Sequence, residues 1–161
     1  MTSDAPSYGT IDRAYGHHLA TIDPADDGPV WMINLMRYKR TATYGDGPEG
    51  GGEAVSGREA DDRYAPLDVL EDIGAEMVLV ADVEAQLLGD ETTWERIAVV
   101  RYPTRRSFID MQARPDFQAR HVHKEAGMDR TFVIGCVPAE VPDALVEGLE
   151  PVPWDQVPHP P

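Results

Sequence analysis

The stretch RHVHKEAG, residues 120–127, holds two histidines, a lysine and a glutamate, side chains that ligate metals or move protons. A shared metal requires His121 and His123 to point the same way. They would do so on a strand, but Pro115 as an opening, DFQAR in the middle and Gly127 as a stop read as helix. On a helix successive residues turn by about 100°, so the two rings diverge by about 200°. No metal site is expected. His121 is a separate matter, because Phe117 lies four residues before it and Met128 seven after, on one stripe, with Glu125 one turn on. It is either a partly buried packing ring, hydrogen-bonded to Glu125 or backbone, or a general acid or base held over a pocket and tuned by Glu125. His123 falls on the other side, toward solvent. Lys124 shares the His121 stripe and implies that this face is not wholly dry.

Other side chains could join such a pocket. Asn34 sits between Met32 and Met36 in VWMINLMRY, and a buried amide there either ties the sheet together or points at a ligand. Met36 and Trp31 of the same segment would add apolar lining. Tyr64 stands beside Arg63 in a helical segment and is either core or a substrate contact. Arg101 ends a strand beside Tyr102 and Pro103, where it reaches a pocket mouth or pairs with Asp110 or Glu95 on the surface. Asp82 and Glu84 read as a solvated strand edge, and His17-His18 as exposed. The glycines of GDGPEGGGEAV lack the Lys-Ser/Thr end of a phosphate loop, and the chain has no nucleophile elbow, Rossmann glycine pattern or CxxC pair.

The elements that must carry these residues follow from breaks and periodicities. Residues 1–28 form a polar N-terminal extension with a short helix around IDRAYGHHLA, ended by Gly28-Pro29. The main domain spans 29–138. VWMINLMRY is its first strand, and a Gly-rich insertion at 39–55 follows, long enough to be a lid. SGRE at 56–59 is a capping box that opens a helix running to about Ala75, with Gly74 near its end. EMVLVADVEAQLL and WERIAVVRY are the next strands. Thr104 starts a helix that Pro115 interrupts before it resumes to Gly127, and TFVIGCV closes the domain. Residues 139–161 form a Pro- and acid-rich arm, with helical turns at DALVEGL and Trp154 near its end. The order is β-α-β-β-α-β, an α+β ferredoxin-like pattern of four antiparallel strands with helices on one face.

Bulk properties limit the partners. The 161 residues carry 14 basic and 29 acidic side chains, a net charge of −15, which repels nucleic acid and anionic lipid. Cys136 is the only cysteine, so one chain forms no disulfide, and a reducing cytoplasm is the expected compartment. No secretion signal or membrane span is read.

One feature of the strands does not suit a monomer. Val30, Met32, Asn34, Met36 and Tyr38 share one face of the first strand, and Trp31, Ile33, Leu35 and Arg37 share the other, both mainly apolar. The third strand repeats this, with Trp94, Ala98, Val100 and Tyr102 against Ile97 and Val99. A sheet apolar on both sides needs a second cover, and a second copy supplies it.

VWMINLMRY, GREADDRYAPL, WERIAVVRYPTRRSFIDMQARPDFQARHVHKEAGM and TFVIGC together resemble the dimeric α/β-barrel superfamily and, within it, the domain-of-unknown-function family 1330. The resemblance covers residues 29–137 and implies a homodimer with a cavity between sheet and helices in each subunit. Relatives on that barrel include cofactor-free monooxygenases, polyketide cyclases, muconolactone isomerase and haem-binding enzymes, so it constrains chemistry loosely. The expectation is a cofactor-independent enzyme that cyclises, isomerises or oxygenates a small apolar or aromatic metabolite. His121 is its acid/base residue, and Asn34, Tyr64, Arg101, Met36 and Trp31 its substrate contacts. A non-enzymatic small-molecule-binding dimer and a barrel holding haem through one axial histidine are the rivals.

Overall fold

The computed structural model describes residues 6–45 and 54–137. Residues 46–53 of the Gly-rich insertion, and the expected C-terminal arm with DALVEGL and Trp154, lie outside the described residues. The elements run α1 (Arg13–Thr21), β1 (Val30–Tyr38), α2 (Gly57–Tyr64), α3 (Leu67–Asp72), β2 (Glu76–Asp82), β3 (Arg96–Tyr102), α4 (Arg105–Gln112), α5 (Pro115–Gly127) and β4 (Met128–Cys136). The fold is α+β, with one four-stranded antiparallel sheet in the order β2-β3-β1-β4. Among the described residues no helix is long and apolar enough to cross a membrane.

Local chemistry sets most of the boundaries. Ser56 and Glu59 form the expected capping box at α2, and Thr104 and Ser107 form a second at α4. The single helix expected over 56–75 is two, because Pro66 has no N–H to continue it and pushes Ala65 to ψ 108. Gly74 then turns the chain with φ 70, a conformation open to glycine. β2 stops at Asp82, short of the expected Leu88. It is an edge strand paired only with β3, and Asp82↔Arg96 is the last rung of that ladder. Leu87 and Leu88 are left exposed. Met128 starts β4, so it is not on the helical stripe of His121.

The two faces of the sheet differ. Val30, Met32, Met36 and Tyr38 of β1 and Ala98, Val100 and Tyr102 of β3 are buried on the inner face. Val30, Met32, Val100 and Tyr102 pack with Val69, Leu70, Met111 and Phe117 from the helices, whereas Met36, Tyr38 and Ala98 cluster with Tyr8 and Met128. Each buried Val, Leu, Met or Phe among them contributes about 1.5–3 kcal/mol of burial. Trp31, Ile33 and Leu35 alternate with them and point outward. Trp94 also lies on that outer side, its ring 4.8 Å from Phe132, and not with Ala98 as the strand pattern suggested. The strand begins only at Arg96, so alternation does not extend back to residue 94.

α2 and α5 meet backbone to backbone. Lys39 N–H donates to Gly127 O and Gly57 N–H to Lys39 O, at 2.8 and 3.0 Å. A Cβ on Gly57 would run into the carbonyls of Gly127 and Lys39, and one on Gly127 into the carbonyl of Gly57. This close crossing sets Asp61 and Tyr64 of α2 beside Lys124 of α5.

Candidate functional site

Between the inner face and the helices lies a cavity of about 90 Å³. Its floor is Asn34 and Met36 of β1 and Arg96, Ala98, Val100 and Tyr102 of β3. Its walls include Asp61 and Tyr64 of α2, Leu67 and Leu70 of α3, Met111 of α4, and Phe117 and Lys124 of α5. Most of this surface is apolar. The exceptions converge on one region.

Arg96 is 1% exposed. It holds Asp62 at 3.0 Å and Asp82 at 3.1 Å, and Arg58 reaches the same Asp82 oxygen at 2.6 Å. A guanidinium so deeply buried requires such partners, since an isolated buried charge costs several kcal/mol. Asp61 is buried nearby and accepts a 2.8 Å bond from Tyr38 Oη. Burial raises its carboxyl above the ordinary range, opposed by Lys124 and by the Tyr38 hydrogen bond. Lys124 Nζ sits 4.9 Å from the centre of the Tyr64 ring and 5.9 Å from that of Tyr8. Burial lowers its ammonium below the ordinary range, and Asp61 opposes that shift. Among the described residues no carboxylate lies within ion-pairing distance of Lys124. A carboxyl prone to hold its proton and an amine prone to lose one therefore share an apolar cavity. Such a pair can donate to, accept from or attack a bound molecule.

Three of the six expected site residues line this cavity: Asn34, Met36 and Tyr64. Asn34 also ties the sheet, donating from Nδ2 to Met32 O and Ala98 O at 3.3 Å each. His121 is next to the cavity but not in its lining. Its ring stands edge-on to Tyr64 and Phe117, at 5.5 and 4.8 Å between centroids, and its buried Nε2 has no hydrogen-bond partner. Burial lowers its basicity, as does Lys124, against the smaller opposite pull of Glu125. An axial haem ligand would face a large dry cavity, whereas this ring is wedged between two others. Trp31 and Arg101 are register neighbours on the opposite face of the sheet, away from the cavity. Arg101 pairs with Glu76 at 3.3 Å, not with Asp110 or Glu95.

His123 is on the other side of α5 from His121, as helix geometry requires, but it is not free in solvent. Its Nδ1 lies 2.8 Å from Tyr44 Oη. Among the described residues no group of three potential metal ligands gathers.

Sequence reasoning passed over Asp61, Arg96 and Lys124 as site residues, and assigned Asp82 to a solvated edge. One signal was present: Arg96 alternates with Ala98, Val100 and Tyr102, which puts a charge on a buried face.

No protein-family model and no curated protein matches the chain. Among solved structures it is similar to a crystal structure of methylated RPA0582 protein, with 23% identity, a TM-score of 0.68, and coverage of 84% of this chain and 97% of the other. It is similar also to the structure of RPA0582 described as a protein of unknown function from Rhodopseudomonas palustris, with 22% identity, a TM-score of 0.68, and coverage of 85% and 100%. At such identities the likeness concerns the fold.

Proposed function

We propose that this chain is a cofactor-independent enzyme of the cytoplasm that binds a small, largely apolar or aromatic metabolite in the cavity under α2, α3 and α5. The observation that carries the reading is the convergence of Asp61 and Lys124, with opposed tendencies to hold a proton, on a cavity otherwise walled by Met, Leu, Val and Phe. Asp61 is the acid–base group, and Tyr64 and Asn34 orient the guest. His121 braces Tyr64 and does not act on the substrate. The strand order β2-β3-β1-β4 with crossovers through helices supports a ferredoxin-like arrangement. The open apolar outer face supports pairing of two copies as a dimeric α/β barrel, and with it the resemblance to the domain-of-unknown-function family 1330.

Methionine methyl groups report on the cavity directly. Met36, Met77 and Met111 line it, whereas Met32 and Met128 are buried elsewhere. With ¹³C-methyl methionine, a panel of butanal, butan-2-one and butan-1-ol should shift the first three signals and leave the other two in place. A panel that moves none of the three defeats the cavity reading. A guest that binds but is never converted leaves a binding protein.

A further inference from the structure

Of the 14 basic side chains in the sequence, only Lys39 and Lys124 are lysines, and the rest are arginine. The distinction matters because a guanidinium stays charged in proteins, while a desolvated ammonium can give up its proton. Lys39 has a structural task, donating to Thr43 Oγ1 and to Glu125 O at 2.9 Å each. Lys124 has no such task. Its Nζ meets two aromatic rings and the cavity.

We propose that Lys124 is a nucleophile that forms an imine with a small aldehyde or ketone held in the cavity. This rests on the reading of the cavity as a small-molecule site and names its substrate class. The lone pair of the neutral Nζ attacks the carbonyl carbon, and the C=O π pair moves to oxygen, which takes the proton of the Asp61 carboxyl. The nitrogen then returns a proton to Asp61. Asp61 protonates the hydroxyl, the C–O bond breaks, water leaves, and loss of the last N–H proton to Asp61 gives the C=N bond. One amine and one carbonyl become one imine and one water, with no oxidant or reductant.

The surroundings suit this step. Lys124 faces Asp61 and Tyr64 from α2, Tyr8 from the N-terminal segment, Arg96 across the cavity, and His121 and Glu125 on its own helix. Arg96 is engaged by Asp62 and Asp82, and His121 is held in its uncharged form. Asp61 is the near group placed to exchange protons. A volume of about 90 Å³ is smaller than the roughly 150 Å³ cavity that takes up benzene. The guest is therefore a compact carbonyl compound, or the carbonyl end of a longer one.

The scarcity of lysine makes the test clean. The full-length protein is treated with butanal and cyanoborohydride at pH 7, which reduces each imine to a butyl amine, and mapped by peptide mass at Lys39 and Lys124. Lys124 should gain the butyl group faster than Lys39, because its desolvated amine gives up its proton more readily and lines the cavity that holds the aldehyde. Its labelling should also persist to lower pH. Lys124→Arg, checked for fold by circular dichroism, should lose that label and keep the one on Lys39. Labelling of Lys39 with Lys124 untouched, or at equal rates, overturns the proposal. The methionine signals then separate the two failures. If butan-1-ol still shifts Met36, Met77 and Met111, the cavity reading stands and the imine alone falls; if it does not, both fall.

Discussion

The two faces of this sheet reverse the usual division. The inner face, covered by helices, carries Asn34 and the fully buried Arg96, and looks onto Asp61 and Lys124. The outer face, which no described element covers, carries Trp31, Ile33, Leu35, Ile97 and Val99, with Phe132 50% and Ile134 44% exposed. Charge where burial is deep and apolar surface where cover is lacking both weaken a monomer. Each suits a fold that takes a guest on the inner face and a second copy on the outer one.

The outer face offers the largest expected effect. If two copies pack sheet to sheet, the double substitution Val99→Glu and Ile134→Glu places every new carboxylate in the contact twice, once from each copy. An unpaired buried charge costs several kcal/mol, so the pair should separate fully at micromolar concentration. Light scattering should then change from the mass of two chains to that of one, with helical circular dichroism retained. A parent protein that already scatters as one chain removes the outer half of the comparison.

On the inner face the strongest perturbation is Arg96→Met. It takes the cation from Asp62, while Asp82 keeps Arg58. Breaking a buried pair costs about 3–5 kcal/mol. Here the lower end applies, because the side chains of Asp62 and Asp82 are 40% and 23% exposed. Urea denaturation should show a loss near 3 kcal/mol; a loss below about 1 kcal/mol would mean that the network is a surface ornament.

Asp61→Asn should act in the opposite direction. Asparagine still accepts the Tyr38 hydroxyl but cannot ionise. Burial raises the folded carboxyl above its unfolded value, so stability linked to Asp61 is intact at the acid end and is lost as pH rises through the folded value. The variant should match the parent below about pH 4 and exceed it at neutral pH, while losing turnover. Equal stability at both pH values would show that the carboxyl carries no burial penalty.

Much of this was legible in the residues, and the failures have physical causes. Period-two alternation in VWMINLMRY sorted β1 correctly into its two faces, and the capping pair Ser56 and Glu59 placed the start of α2. Asn34, Met36 and Tyr64 were read into the cavity because strand and helix periodicity orient side chains before any contact is known. Arg101 was drawn to a pocket mouth by its place at a strand end, and Trp31 was counted as lining although it alternates with Asn34 and Met36; the register puts the two together on the far face. Lys124 and Asp61 were not legible as a pair. Their approach depends on Gly57 and Gly127 letting two helices touch, a long-range contact that no local pattern encodes.

His121 carries the smallest expected effect and the sharpest choice between readings. If it braces Tyr64 and does no chemistry, its buried and unsatisfied Nε2 is a net cost, and His121→Phe should stabilise by about 1 kcal/mol while leaving the cavity signals in place. The pH dependence gives a second criterion. Because the folded imidazole titrates below its ordinary value, the unfolded chain binds a proton that the folded one refuses. Stability should fall as pH drops through about 6.5, and the phenylalanine variant should lose that slope. A variant that is less stable at neutral pH and keeps the slope would mean that the nitrogen has a partner in solution. In that case the acid–base role read from RHVHKEAG would return to His121, at the expense of Asp61.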